Sequence, residues 1–197
     1  MYAALPPGAC ALAASDFGGL DIIFNNAGHG GHPGGVEAMT VEGWDATFAV
    51  LVRAVVLGMK HALPLMQARG GGSIINTASI AGLEAGWGPL AYSTSKAAVI
   101  HLSRCAAAEL SPQKIRVNAI CPGYIDTPWF DKVPGSSNRE KLRDSSAAAT
   151  PLKAASTAED VADATLFLAS PHSRHVTGET LLVDAGLHLG FASLGMN

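Results

Sequence analysis

Tyr92 and Lys96 stand four residues apart, a spacing that places both on one face of a helix with their tips able to approach. A free tyrosine titrates near 10, too high for easy proton exchange at neutral pH. A fixed ammonium beside it favours the phenolate and lowers that value. Lowering it to about 8 takes on the order of 3 kcal/mol, which one close, partly desolvated cation supplies. Tyr92 is then a usable general acid/base, and Ser79 can donate or accept a hydrogen bond at the same oxygen. Such a site suits proton transfer coupled to hydride transfer at an alcohol or carbonyl carbon. The hydride itself requires a nicotinamide, because no side chain can carry one.

Short apolar runs alternate with helical patterns along the chain. Strands are expected at Leu20–Phe24, Ser73–Thr77, Ile115–Cys121 and Thr180–Val183, rich in β-branched and large aliphatic residues and bounded by Gly, Asn or Pro. Thr40 can cap a helix carrying Phe48, Leu51, Val52, Val55, Met59, Leu63 and Met66 as a one-sided apolar stripe, with Pro64 expected to kink its end. A second helix is expected from about Tyr92 to Leu110, and a third from the capping box Thr157–Asp160. Strand–helix alternation implies parallel strands with right-handed crossovers, an α/β layered fold in a single domain. The polar, small-residue-rich stretch from Pro128 to Ser156 is expected to be a lid or a mobile loop.

In an open parallel sheet, ligands bind beyond the carboxyl ends of the strands. Asn25-Asn26-Ala27-Gly28 follows the first strand, Ala78-Ser79 the second, and Pro122-Gly123 the third, with Thr127 four residues on. All three segments must share one edge, which describes a cleft into which Tyr92 and Lys96 project.

Bulk properties narrow the alternatives. With 13 basic and 16 acidic residues the net charge is −3, and no basic patch points to nucleic acid or an anionic membrane. Apolar runs look too short for the roughly 18 residues that span a bilayer. The apolar start, Met1 to Ser15, has no positive residue and is broken by Pro6-Pro7, unlike a secretory signal. Cys10, Cys105 and Cys121 form no Cys-x-x-Cys pair and fit reduced, buried thiols in a cytoplasmic protein. Ser93 and Lys96 fit a Ser-x-x-Lys pattern, but the Ser-Asp-Asn and Lys-Thr-Gly partners of acylating hydrolases are absent. His29 and His32 have no third ligand at useful spacing, so no metal is expected. Trp87, Trp129 and Phe130 are candidates to line an apolar substrate pocket, as well as for ordinary core packing.

Taken in order and spacing, Asn25-Asn26-Ala27-Gly28, Ser79, Tyr92, Lys96 and Pro122-Gly123 with Thr127 resemble the short-chain dehydrogenase/reductase family. Arg116-Val117-Asn118, Val176–Glu179 and Val183-Asp184 extend the likeness across about Gly19 to Gly186. The resemblance implies a Rossmann-like doubly wound parallel sheet and an NAD- or NADP-dependent oxidoreductase interconverting a secondary alcohol and a ketone. By that resemblance Tyr92 is the general acid/base, Ser79 positions the substrate oxygen, and Lys96 holds the nicotinamide ribose and lowers the tyrosine pKa. Asn25, Ala27 and Gly28 would shape the adenosine-ribose side, and Pro122, Gly123, Ile125 and Thr127 the nicotinamide side. A small-molecule alcohol or carbonyl substrate is implied, as is a homodimer or homotetramer for the complete protein.

Two departures stand out. The family opens with a strand, a glycine-rich turn and a helix that seat a pyrophosphate, whereas 19 residues precede the first expected strand here. Residues Met1 to Gly18 read as the helix before that strand, the N-terminal strands are expected to be missing, and Leu20–Phe24 is left as an open sheet edge. The glycine-rich run Gly28–Gly35, with Pro33 where a final glycine belongs, reads as a loop at the cleft mouth. Leu51 stands where the family carries an asparagine whose backbone organises a water path to the lysine, and its fit to the apolar stripe reads as core packing. The rival expectation is a catalytically silent fragment or partner-dependent scaffold of the same fold.

Overall fold

A computed structural model describes residues 8–128 and 139–189. Strands β1 (Ile22–Asn25), β2 (Gly72–Thr77), β3 (Ile115–Pro122) and β4 (Thr180–Val183) form one all-parallel sheet in that order. The β1 ladder starts two residues later than expected and runs on to Asn25. Asp21 contributes its carbonyl to the Ser73 N–H at 2.9 Å, and Asn25 stays in the strand because its amide finds a buried partner.

Alternate side chains build two layers, as parallel strands buried on both faces require. On one face Ile74, Val117, Ala119 and Cys121 pack with Val55, Met59, Met66, Val99 and Ala107 from helices α3 (Ala54–Arg69) and α4 (Leu90–Leu110). On the other, Ile75 and Ile120 pack against Leu168 of α6 (Ala158–Ala169). Helix α1 (Gly8–Phe17), in the segment read as the helix before the first strand, brings Cys10 to the α3 side. Among the described residues β1 pairs only with β2, and its Ile22 and Phe24 remain 46% and 38% exposed.

Helix α2 (Val41–Phe48) begins where Thr40 Oγ1 accepts the Gly43 N–H at 3.0 Å and continues through a π-turn, Ala49–Arg53, into α3. The helix runs through Pro64 to Arg69, and its break in hydrogen-bond pattern lies upstream, in the π-turn around Leu51. The apolar runs are also longer than the sequence suggested: Val41–Arg69 is long and apolar enough, by length and composition, to cross a membrane. In this fold it is a sheet-packing helix, with Leu51, Val55, Met59, Ala62 and Met66 buried. The capping box of α6 has both halves, Thr157 N–H to Asp160 Oδ2 at 2.7 Å and Asp160 N–H to Thr157 Oγ1 at 3.3 Å.

The stretch from Pro128 to Ser156 departs from the expected loop, because it contains helix α5 (Arg139–Ala149). An alanine run and the Glu140-Lys141 start favour a helix that the polar composition obscured. Its flanks are tied together: Ile125 and Ser156 form a parallel bridge, the Asp126 N–H donates to the Ser156 carbonyl at 2.9 Å, and Arg139 pairs with Asp126 at 2.6 Å.

A buried polar chain crosses the α3/α4 layer. Asn25 Nδ2 donates to Asn76 Oδ1 at 2.8 Å, Asn76 Nδ2 to Ser103 Oγ at 3.0 Å, and Ser103 Oγ to the Val99 carbonyl at 2.8 Å. Gly58 leaves the room for it, since a Cβ there would collide with Asn25 Oδ1. At an open helical position Gly→Ala stabilises by up to about 1 kcal/mol. Here Gly58→Ala is expected to cost roughly 1–3 kcal/mol through overpacking. Combined with Asn25→Ala it should cost less than the sum of the two single changes. Urea midpoints of the three variants measure this, and additive losses would show that the two residues do not share the space.

Candidate active site

The carboxyl ends of β1, β2 and β3 open onto one edge, where Asn26, Gly28 and His29, then Thr77 to Ser79, then Pro122, Gly123, Ile125 and Thr127 line a common cleft. Immediately after β2, Ser79 caps a short 3-10 turn, Ile80–Gly82, its Oγ accepting the Ala81 N–H at 3.2 Å. That turn presses on α4. A Cβ on Gly82 would lie 2.6 Å from the Ala97 nitrogen, so glycine is what permits the approach. The result brings the Ser79 hydroxyl close enough to the Tyr92 phenol to lower its pKa, against the effect of burial. One turn on, Lys96 is buried at 5% exposure, donates from Nζ to the Thr77 carbonyl at 2.8 Å, and sits 5.6 Å from the centroid of the Tyr92 ring.

Electrostatics here differ from the expectation for the pair. Burial raises the Tyr92 phenol above its ordinary value, opposed by the Ser79 hydroxyl. Burial also lowers Lys96 from 10.5 to about 8. The ammonium spends one donor on Thr77 and stands over the ring, and desolvation is the largest influence on the tyrosine. The Cys121 thiol, pushed by burial from 9.0 up to about 12, is the one buried cysteine; Cys10 is half-buried and Cys105 on α4 is exposed, contrary to the expectation of three buried thiols.

Two cavities meet at this point. The smaller, about 270 Å³, is lined by Ser79, Tyr92, Lys96, Gly28, Pro122, Gly123, Ile125 and Thr127, all singled out from the sequence. Asn25 and Ala27 are absent from its lining; Asn25 is committed to Asn76. Asn26 and Ala78, expected on this edge, and His29, of the loop expected at the cleft mouth, line the same cavity; sequence reasoning missed Thr77, the last residue of β2. Asn26 Oδ1 accepts the Thr77 hydroxyl at 2.8 Å, and the rule that ligands gather at strand carboxyl ends could have included it. The larger cavity, about 860 Å³, shares His29, Ser79, Tyr92 and Gly123 with the smaller and extends past Trp87 to α5. Trp129 and Phe130 lie outside the described residues. His29 Nδ1 accepts the Gly31 N–H at 3.0 Å, while the His32 backbone N–H donates to Thr47 Oγ1 at 2.9 Å.

Leu51 is 1% exposed, and its Cδ2 lies 3.2 Å from where a Gly28 Cβ would stand, so it packs the floor of the cleft as well as the core. Arg116 and Asn118 do not reach the site. Arg116 donates to the Leu168, Ser170 and Val176 carbonyls, and Asn118 clamps Val176 and Glu179, fixing the approach to β4.

Comparison with known proteins places this arrangement. A family model described as enoyl-(acyl carrier protein) reductase matches residues 8–188. The chain is 40% identical over 178 residues to 2-(R)-hydroxypropyl-CoM dehydrogenase of Xanthobacter autotrophicus, covering 89% of this chain and 70% of that protein. It is 37% identical over 182 residues to 2,5-dichloro-2,5-cyclohexadiene-1,4-diol dehydrogenase of Sphingobium indicum, covering 92% and 70%. A crystal structure described as a short-chain dehydrogenase/reductase from Burkholderia xenovorans superimposes with a TM-score of 0.83 at 32% identity, covering 93% of this chain and 69% of that one. The chain belongs to the short-chain dehydrogenase/reductase family. Its sheet with helices on both faces is the family's Rossmann-like fold, and its class of activity is oxidoreductase.

Short-chain dehydrogenase/reductases generally use NAD or NADP. The donor set of the smaller cavity fits the nicotinamide-ribose half of such a molecule. A lysine ammonium has three donors, of which Thr77 takes one. The Asn26 amide and Thr127 hydroxyl add neutral polar groups, and the bare Cα of Gly28 lets a ligand approach beside Lys96.

The buried lysine and thiol make stability depend on pH in opposite senses. Between about 8 and 10.5 the unfolded chain binds a proton at Lys96 that the folded chain does not, so stability rises with pH. From 9.0 to about 12 the folded chain keeps the Cys121 proton that the unfolded chain loses, so stability falls. Urea unfolding should therefore show stability climbing from pH 8 to 9 and then levelling. Lys96→Met should flatten the climb, and Cys121→Ala should extend it toward pH 10.5. A wild-type profile flat from 8 to 9 would refute the lysine's part.

Proposed function

We propose that this short-chain dehydrogenase/reductase interconverts a secondary alcohol and a ketone with NAD or NADP, using Tyr92, Ser79 and Lys96. The observation that carries the reading is the shared wall: the neighbouring Ser79 and Tyr92 side chains line both the smaller cavity and the larger one. A substrate oxygen at that wall meets two hydroxyls, and its carbon faces the smaller cavity. The cofactor, when bound, supplies or accepts the hydride.

Each residue has a distinct task. Lys96 holds ribose hydroxyls with the donors that Thr77 leaves free, and Gly123, Ile125 and Thr127 border the nicotinamide. Ser79 fixes the substrate oxygen within reach of Tyr92. A phenol held protonated by burial gives its proton to a carbonyl oxygen, so Tyr92 acts as the acid in ketone reduction. In the reverse direction it must first lose that proton. Alcohol oxidation therefore rises as pH climbs above neutrality toward the raised phenol pKa, while ketone reduction gains nothing from the same change.

Tyr92→Phe removes the proton and retains the ring. General acid/base groups contribute roughly 10²–10⁴-fold, so kcat for any accepted alcohol or ketone should drop by that factor with the circular dichroism unchanged. Turnover within a few-fold of wild type would remove Tyr92 from this role. Loss of the alkaline rise in oxidation is the companion readout.

A further inference from the structure

The larger cavity has a chemical character of its own. Its volume of about 860 Å³ lies near the upper end of the 300–1,000 Å³ typical of small-molecule sites. Ile80, Trp87, Pro89, Leu142 and Leu187 supply apolar walls, and Trp87 keeps 47% of its surface exposed beside the opening. No lysine or arginine lines it among the described residues. The arginines of α5 are engaged elsewhere, Arg139 with Asp126 and Arg143 with Asp144.

Among the described lining residues, His29 has the one side chain that could carry a positive charge. Its Nδ1 accepts the Gly31 N–H, a bond open only to a neutral ring, so in this arrangement it offers a neutral donor. Among the described lining residues the other side-chain polar groups are the Trp87 indole N–H and the hydroxyls of Ser79, Tyr92, Tyr124, Ser145 and Ser146. An anionic group entering such a chamber would lose its hydration with no lysine or arginine among the described lining residues to replace it.

Resting on the redox reading of the site, we propose that the substrate is a bulky, uncharged, predominantly apolar secondary alcohol or ketone, with a ring system or long hydrocarbon portion against Trp87 and Leu142. Substrates bearing a carboxylate, sulfonate or phosphate near the reacting carbon are poor fits. The small hydroxyls on α5 suit neutral oxygen substituents at the far end.

Binding and turnover test this separately. Binding is read on Tyr92→Phe, where proton transfer is blocked, by ligand-detected NMR with 1-tetralone and with acetoacetate. Saturation transfer to 1-tetralone and none to acetoacetate is the expected result. Leu142→Lys, which places a cation in the wall, should weaken 1-tetralone binding at least about tenfold and admit acetoacetate. Absent tetralone binding, equal binding of acetoacetate, or no change on Leu142→Lys would each overturn the proposal. For wild-type turnover, kcat/KM for 1-tetralol should exceed that for 3-hydroxybutyrate by about 100-fold or more. Tetralone binding without turnover of either alcohol would keep the cavity assignment and remove the redox reading.

Discussion

The arrangement around Tyr92 depends on one buried contact, the bond from the Lys96 ammonium to the Thr77 carbonyl. Thr77 is the last residue of β2 and Lys96 lies in the second turn of α4, so the bond ties the helix to the strand end that carries Ser79. The glycine-enabled approach of the Ile80–Gly82 turn closes the triangle from the other side. With both contacts made, serine, tyrosine and lysine have little freedom to separate. The cost is visible in the lysine itself, which burial drives down to about 8. A site that keeps so unwilling a cation is held by packing, with Leu51 and Gly28 beside it, rather than by attraction among charges.

Polar groups buried on the helix side of the sheet serve the same end at longer range. The Asn25–Asn76–Ser103 chain joins β1, β2 and α4, and Gly58 lets α3 lie over it. The amides satisfy one another, so the layer tolerates them at little net cost while their directionality sets how the elements meet. Arg116 and Asn118 do for the β4 junction what this chain does for β1. The four strand ends are thus fixed relative to one another before any ligand arrives.

Much of this was legible in the residues, because hydrophobic period and local punctuation carry strands and caps well. The span Thr180–Val183 and the Thr157–Asp160 box appear in the structure as expected. Legibility failed where a local signal was outweighed. Helix α5 hides in a polar, small-residue stretch whose composition resembles a loop. Pro64 promised a kink, yet the irregular turn formed at Ala49–Arg53, where no Pro or Gly marks it. The Asn25 amide pairs with a residue 51 positions away, a contact that no local pattern reveals. The expected lowering of the Tyr92 pKa failed for a different reason: spacing shows that two groups can meet, but not how far both are desolvated when they do.

The excursion after β3 leaves and returns at one point, where Ile125 pairs with Ser156 and Asp126 meets both Ser156 and Arg139. A loop clamped at its neck can gain or lose residues at a cost that grows only slowly with length. Changes in the wall it supplies through Leu142, Ser145, Ser146 and Ala149 therefore need not disturb Ser79, Tyr92 or Lys96, which belong to β2 and α4. The part of the larger cavity's wall that lies on α5 and the Ser79, Tyr92 and Lys96 cluster are carried on separate segments of chain, so in descent one can drift while the other stays fixed.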